Sequence, residues 1–381
     1  MLKRILFITI CLCLSQKTDN NSYLHYFNNI NKAELAIADS QYSESLSIYK
    51  KLLAVYPHSF YKDIHNATLC AIKTRQYKYA IKLSKELVRH GYELSDFESP
   101  AFNELRDKKK YWKQFLNEYP ELRKNYTKTL NEPLRDSYNL LYTIDQDAAS
   151  LKNEIRKQDS IFYNLAVSVS NLIKRDNFPQ WMINKDTMNA KLHVMLRHYC
   201  GLENRIKNDE TMQMDSLYIR MQNNDIRLLV TQALDDGWIS PDRYVNIITY
   251  WDNSNLYGET AIQIDFEKER ITPFLKVPLG KEKEINQLRE SIGLPHVSEL
   301  TQDVIKAYWY GDYPFQKIKE AWLACDTCLN LLSYMRISSN LELEVRNNYK
   351  ENYFIIPDFY QNSSRYYKGI KEYQINLKNA K

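Results

Sequence analysis

A mainly α fold, helical hairpins followed by a helical domain with one small β-hairpin, is what this sequence predicts, on three observations. Apolar residues recur at steps of three and four along most of the chain, the period of a single helical face. The two strongest helix breakers are scarce, with 8 Gly and 11 Pro in 381 residues. Strict apolar–polar alternation is confined to one stretch near 260–277. The chain is long enough for two or three cores, and its mean hydropathy of −0.56 suits a water-facing surface.

Residues 1–22 read as an export signal with a tether. Lys3 and Arg4 precede an apolar run from Ile5 to Leu14, too short to span a bilayer and the right size for a signal core. Cys13 and Cys11 are the lipidation candidates, and cleavage without lipidation is the alternative. The expected location is therefore the periplasm, or the membrane face through a lipid anchor. Four cysteines remain beyond the signal. Cys325-Asp-Thr-Cys328 has redox or zinc spacing, but no strand precedes it and no further ligands stand near, so buried helix cysteines are expected.

Residues 23–130 hold a repeat. Tyr42, Ser45, Tyr49, Leu52 and Pro57 are echoed 35 residues later by Tyr77, Ala80, Ser84, Leu87 and Tyr92, and small residues (Ala33 and Ala36, then Thr68 and Ala71) precede each set. The spacing resembles the tetratricopeptide (TPR) repeat, which implies stacked helical hairpins and a protein or peptide partner. A closing helix is expected over Pro100–Leu116, where Phe102, Leu105, Trp112 and Leu116 form an apolar set. A domain boundary is expected between Asn125 and Pro133.

Residues 131–300 form the second domain. A helix with Leu134, Tyr138, Leu141, Ile144, Ala148, Leu151 and Ile155 on one stripe opens it, with Asp145 at the edge of the seam. Asp159 is expected to cap a second helix, stopped by Asn177-Phe178-Pro179-Gln180-Trp181, and Asp186 opens a third that carries His198. Helices near Glu210–Met221 and Ile226–Asp235 follow, then one from Ser240-Pro241 through Trp251. Ile262, Ile264 and Phe266 begin the hairpin. Ile285, Leu288 and Ile292 mark the last helix, with Gly293 as its stop. Residues 301–381 are read as a C-terminal helical extension, Val304–Tyr310 and Phe315–Met335, with a tyrosine-rich tail.

In this second domain an Asp145-Gln146 pair, His198, Tyr257-Gly258, and Arg289 ahead of Gly293-Leu294 resemble the pattern of an uncharacterised helical domain family of exported bacterial proteins. The resemblance covers about 160 residues and departs from the pattern at Ala149, Arg197 and Glu259. It implies a fold and no agreed activity.

Charge narrows the partners. Residues 1–130 carry 21 Lys/Arg against 13 Asp/Glu (+8), residues 131–300 carry 20 against 25 (−5), and the remainder 11 against 9 (+2). The basic cluster Arg106 to Lys113 reads as a solvated face without an aromatic platform, so no nucleic acid is expected. Membrane contact is expected only through the N-terminal anchor. No phosphate loop, serine elbow, metal signature or dinucleotide fingerprint occurs, and neither cofactor nor metal is expected. Two functions follow. The first is an envelope-associated binding or scaffold protein. The alternative is a hydrolase or transferase acting on an envelope polymer or peptide through a polar cleft, with Asp145, His198 and Glu259 as catalytic candidates and Gln146, Tyr257, Gln263 and Arg289 as binding candidates. An Asp145–Arg289 ion pair joining first and last helices is the structural expectation for these residues.

Overall fold

Among the described residues, the helices of the first half follow one another with short turns, because their apolar stripes must be covered by the next element. The computed structural model describes most of residues 22–296; outside the description lie 1–21, 152–153, 210–211, 213–217, 219–225, 251–255, 258, 266–269, 277–280 and everything from 297 onward. The export signal with Cys11 and Cys13, most of the expected Glu210–Met221 helix, and the C-terminal extension with Cys325 and Cys328 lie outside the described residues. Among those described the fold is mainly helical, and no helix is long and apolar enough to cross a membrane.

The first half contains α1 (Tyr23–Ala38), α2 (Tyr42–Val55), α3 (Tyr61–Lys73) and α4 (Tyr77–Arg89), each packed on its neighbour in sequence. Ser22 caps α1, its hydroxyl accepting from the His25 amide at 3.3 Å. Tyr26, Ala33, Leu46, Tyr49, Ala67, Ala71, Ala80 and Leu87 are all buried, the small residues letting backbones approach around the tyrosine rings. The turns of the two hairpins repeat one another. Ser40 and Arg75 both take left-handed φ values (61° and 59°), and the following Gln41 and Gln76 amides reach back to the Ala36 and Ala71 carbonyls at 2.7 and 2.8 Å.

After two 3₁₀ turns (Leu94–Glu98 and Pro100–Phe102) come a short α5 (Asn103–Arg106) and a long α6 (Lys109–Thr129) that covers α4. This differs from the closing helix expected over Pro100–Leu116: Pro100 starts a tight turn, and the helix runs on through the polar segment to Thr129. Phe97, Phe102 and Phe115 are fully buried and hold it there. Only Leu130 and Asn131 separate α6 from α7 (Glu132–Ala149), whose first turn the Asn131 side chain caps. The opening stripe is also shorter than expected. α7 stops at Ala149, and Ile155 begins α8 (Ile155–Asp176), half exposed. Asp159 therefore lies inside α8, fully buried, rather than at its cap.

The hub of the second half is α9 (Thr187–Asn208), capped by Asp186, against which pack α7, α8, α10 (Ile226–Asp235) and α11 (Pro241–Ile248). α11 ends at Ile248, earlier than expected. Glu259–Asp265 (β1) and Arg270–Lys276 (β2) pair antiparallel, Glu259 opposite Lys276 and Gln263 opposite Thr272; α12 (Glu282–Ser291) follows.

The two halves share one core and are joined by main chain. The Tyr61 amide donates to the Ile183 carbonyl (3.0 Å) and the Lys185 amide to the His90 carbonyl (2.8 Å). Asp186 takes the Arg135 guanidinium at 2.6 Å and stands beside the Tyr126 hydroxyl. Glycines mark the closest approaches. At Gly237 (φ +76°) a Cβ would fall 2.1 Å from the Tyr23 ring, and at Gly91 (φ +97°) 2.6 Å from the Lys185 carbonyl oxygen.

Candidate functional site

Asp145 and His198 meet where α7 crosses α9. The carboxylate is fully buried, inside the seam rather than at its edge, and His198 Nδ1 lies 2.9 and 3.0 Å from its two oxygens. A carboxylate only accepts, so Nδ1 carries the proton and donates. Gln146 Nε2 donates to the same carboxylate at 2.8 Å. Phe162 stacks on the imidazole (4.9 Å between centroids, 29° between planes), and Tyr250 stands 6.0 Å away with the Arg197 guanidinium over its ring at 4.2 Å. Tyr199 lies close by; burial first, and the Asp145 charge second, push its phenol well above the ordinary value. This is the geometry of an oriented histidine, suited to accepting a proton or holding a donor.

Of the remaining predicted residues, Arg289 and Tyr257 are joined to each other. Asp145 and Arg289 do not pair. Arg289 is buried at the end of α12, where Nε donates to the Pro295 carbonyl (2.6 Å) and Nη1 to that of Tyr257 (3.0 Å). It therefore fastens the segment after Gly293 to the segment before β1, a structural use of its planar fork of donors. Tyr257 is buried, and burial raises its phenol. Glu259 and Gln263 occupy β1. His193, the other histidine of α9, faces Asn246 at 2.9 Å and is held neutral, its value lowered to about 4 by burial and then by Arg243.

Two buried charge clusters went unread in the sequence. Asp159 binds the Arg205 guanidinium and accepts from the Tyr218 hydroxyl at 2.9 Å. In the first half, Glu34 and Asp63 are both buried around one cation, Lys62, which reaches Glu34 at 2.6 Å; Tyr26 donates to Asp63 at 2.6 Å. Burial is the main cause that raises Asp63 to about 7, with the Lys62 charge opposing it and Glu34 adding to it. Among the described residues no group of three His, Cys, Asp or Glu side chains is arranged to hold a metal.

A cleft of about 300 Å³ opens at the seam between the halves, at the low end of the range for small-ligand sites. Asn131 lines it from the α6–α7 link, Asn177, Phe178, Trp181 and Asn184 from the α8–α9 connection, and Trp238 from the α10–α11 turn. Asn177 is a non-glycine residue at φ 61°, ψ 179°, a conformation that costs on the order of 1–3 kcal/mol. The Asn184 amide is buried, and its Oδ1 accepts no hydrogen bond. In the sequence, the run Asn177 to Trp181 signals only a helix stop. Compared with protein-family models, with curated proteins and with solved structures, the chain matches none.

Proposed function

We propose that this is an exported, envelope-associated binding protein, in which TPR-like helical repeats and a helical domain jointly build one ligand cleft. The observation that carries the reading is the seam cleft itself: aromatic and amide side chains from three separate connections converge there, and one buried amide oxygen is left without a donor. The matched turns at Ser40 and Arg75, 35 residues apart, support the repeat assignment. Lys3, Arg4 and the apolar run to Leu14 support export, with Cys13 or Cys11 as the anchor. A second reading, a hydrolase or transferase acting on an envelope polymer or peptide, draws on the oriented His198–Asp145 pair.

A photoreactive side chain at position 177 of the full chain, irradiated in intact cells, tests the first reading. The expected result is a defined covalent adduct in the envelope fraction, lost on Trp238→Ala and kept on His198→Gln. Protein recovered from the cytosol with Met1 intact, or with no adduct in any background, refutes it. An adduct that accumulates only in His198→Gln shifts the assignment to the enzyme.

A further inference from the structure

Asn184 sets the chemistry of what enters the cleft. Its side chain is only 2% exposed, yet Oδ1 has no hydrogen-bond partner in the protein. A buried acceptor of this kind calls for a donor. Carboxylates, and phosphate esters once fully ionised, bring acceptors only. A hydroxyl brings both a donor and an acceptor, and an amide side chain matches a pair of neighbouring hydroxyls, or an acetamido group, with its two ends.

The rest of the lining points the same way. Among the described residues the only charged lining side chain is Asp176, and the adjacent Arg175 already holds it at 2.6 Å. Among the described residues no lysine or arginine lines the cleft to balance an anionic ligand. Trp238 is pinned on one side by the His58 ring at 4.0 Å, and Trp181 is wedged edge-on to Tyr138 at 5.3 Å and 87°. Fixed aromatic rings give apolar contact area without ordering cost, and they suit a ligand with one apolar face and a polar rim. Pyranose rings have that construction, with C–H groups on one face and hydroxyls around the edge. The size agrees: about 300 Å³ fits one or two such rings, whereas an extended peptide needs roughly 3.3 Å of groove for every residue.

We propose that the seam cleft binds a neutral carbohydrate of one or two rings, with the Asn184 amide bridging adjacent polar groups of the sugar and Trp238 packing on a ring face. This rests on the binding reading above and names its ligand class.

The test uses the full chain and four probes: cellobiose, N,N′-diacetylchitobiose, the tripeptide Ala-Ala-Ala and inorganic phosphate. Calorimetric titration and tryptophan fluorescence should show at least one disaccharide binding. Asn184→Ala should weaken it roughly tenfold or more, as expected for losing hydrogen bonds in a desolvated site. Trp238→Ala, at a partly buried position, should weaken it as well and serves as the second variant should Asn184→Ala fail to fold. Circular dichroism melts establish folding for each. The proposal is overturned if neither disaccharide binds at millimolar concentration, if binding survives Trp238→Ala unchanged, or if only the tripeptide or phosphate binds. A protein adduct from position 177 together with silent disaccharides removes the carbohydrate and leaves the binding reading standing. Absence of both adduct and titration removes both.

Discussion

Asp63→Asn should make the protein more stable at pH 8 while changing it much less at pH 5. Asp63 is buried beside Tyr26, with Glu34, Lys62 and Tyr49 around it and Asp242 across the seam acting on its charge. Its folded-state value, raised to about 7 from 3.8, means that the fold favours the protonated acid. A raised carboxyl contributes stability at low pH that is lost as pH rises through the folded value, because the native state binds the extra proton. From pH 5 to about 7 spans two units, so the wild type should lose about 3 kcal/mol relative to the amide over that interval, at about 1.4 kcal/mol per unit. Asparagine keeps an acceptor for the Tyr26 hydroxyl, and Lys62 keeps Glu34. Other groups bend the absolute profile. Glu203, also raised to about 7 by burial, acts in the same sense, while the lowered histidines His58, His65, His90 and His193 weaken the fold as pH falls. Subtracting the wild-type profile from that of Asp63→Asn cancels those shared contributions. Urea denaturation at half-unit steps from pH 5 to 8 gives the difference directly. An equal loss of stability at both ends would mean that Asp63 is ionised and usefully paired throughout, and the reasoning would fail.

Three further outcomes are expected. Arg205→Met leaves the Asp159 charge buried with only the Tyr218 hydroxyl and should cost about 2–4 kcal/mol in urea denaturation, less than for a wholly buried pair because Arg205 is a quarter exposed; a loss near zero would show that the pair is idle. A double-mutant cycle between Asp145→Asn and Arg289→Met should add to within about 0.5 kcal/mol, whereas Asp145→Asn with His198→Phe should couple by about 1 kcal/mol or more, with coupling in the first cycle contradicting the contacts described. Gly237→Ala should lower stability by about 2–4 kcal/mol in a calorimetric melt, since the new methyl meets the Tyr23 ring at a left-handed backbone; partial recovery on adding Tyr23→Leu would trace the loss to that ring, and a silent substitution would place Tyr23 elsewhere.

What could be read in the sequence was what lies within one helical turn of itself. The helical content follows from local periodicity, as do the Asp186 cap, the Pro241 start and the stop at Gly293. Errors came where tertiary burial overrides a local signal. Asp159 looks like a cap because aspartate so often is one, but Arg205, 46 residues away, lets it sit inside a helix. The polar stretch from Asn125 looks like the start of a domain boundary, and packing of Phe115, Leu122 and Tyr126 keeps it helical to Thr129. The site residues split for the same reason. Asp145 and His198 come together because α7 and α9 cross, while Arg289, four residues before Gly293, is spent on carbonyls nearer its own helix end. Asn184 carries no sequence signal at all. Its interest arises from partners it lacks, which only the packed chain reveals.

The main-chain bonds that tie Tyr61 to Ile183 and His90 to Lys185 have a consequence for energetics at a distance. Both acceptor and donor segments flank the loop that carries Asn184, so that loop cannot loosen without releasing the helices of the first half, and those helices cannot loosen without releasing the loop. Ligand affinity and folding stability then become two readings of one equilibrium: whatever occupies the seam raises the melting temperature of the distant hairpins, by RT ln(1 + [L]/Kd) in free energy. By reciprocity, a change as remote as the Ser40 turn weakens binding in proportion to how far it unseats the first half, without touching the ligand.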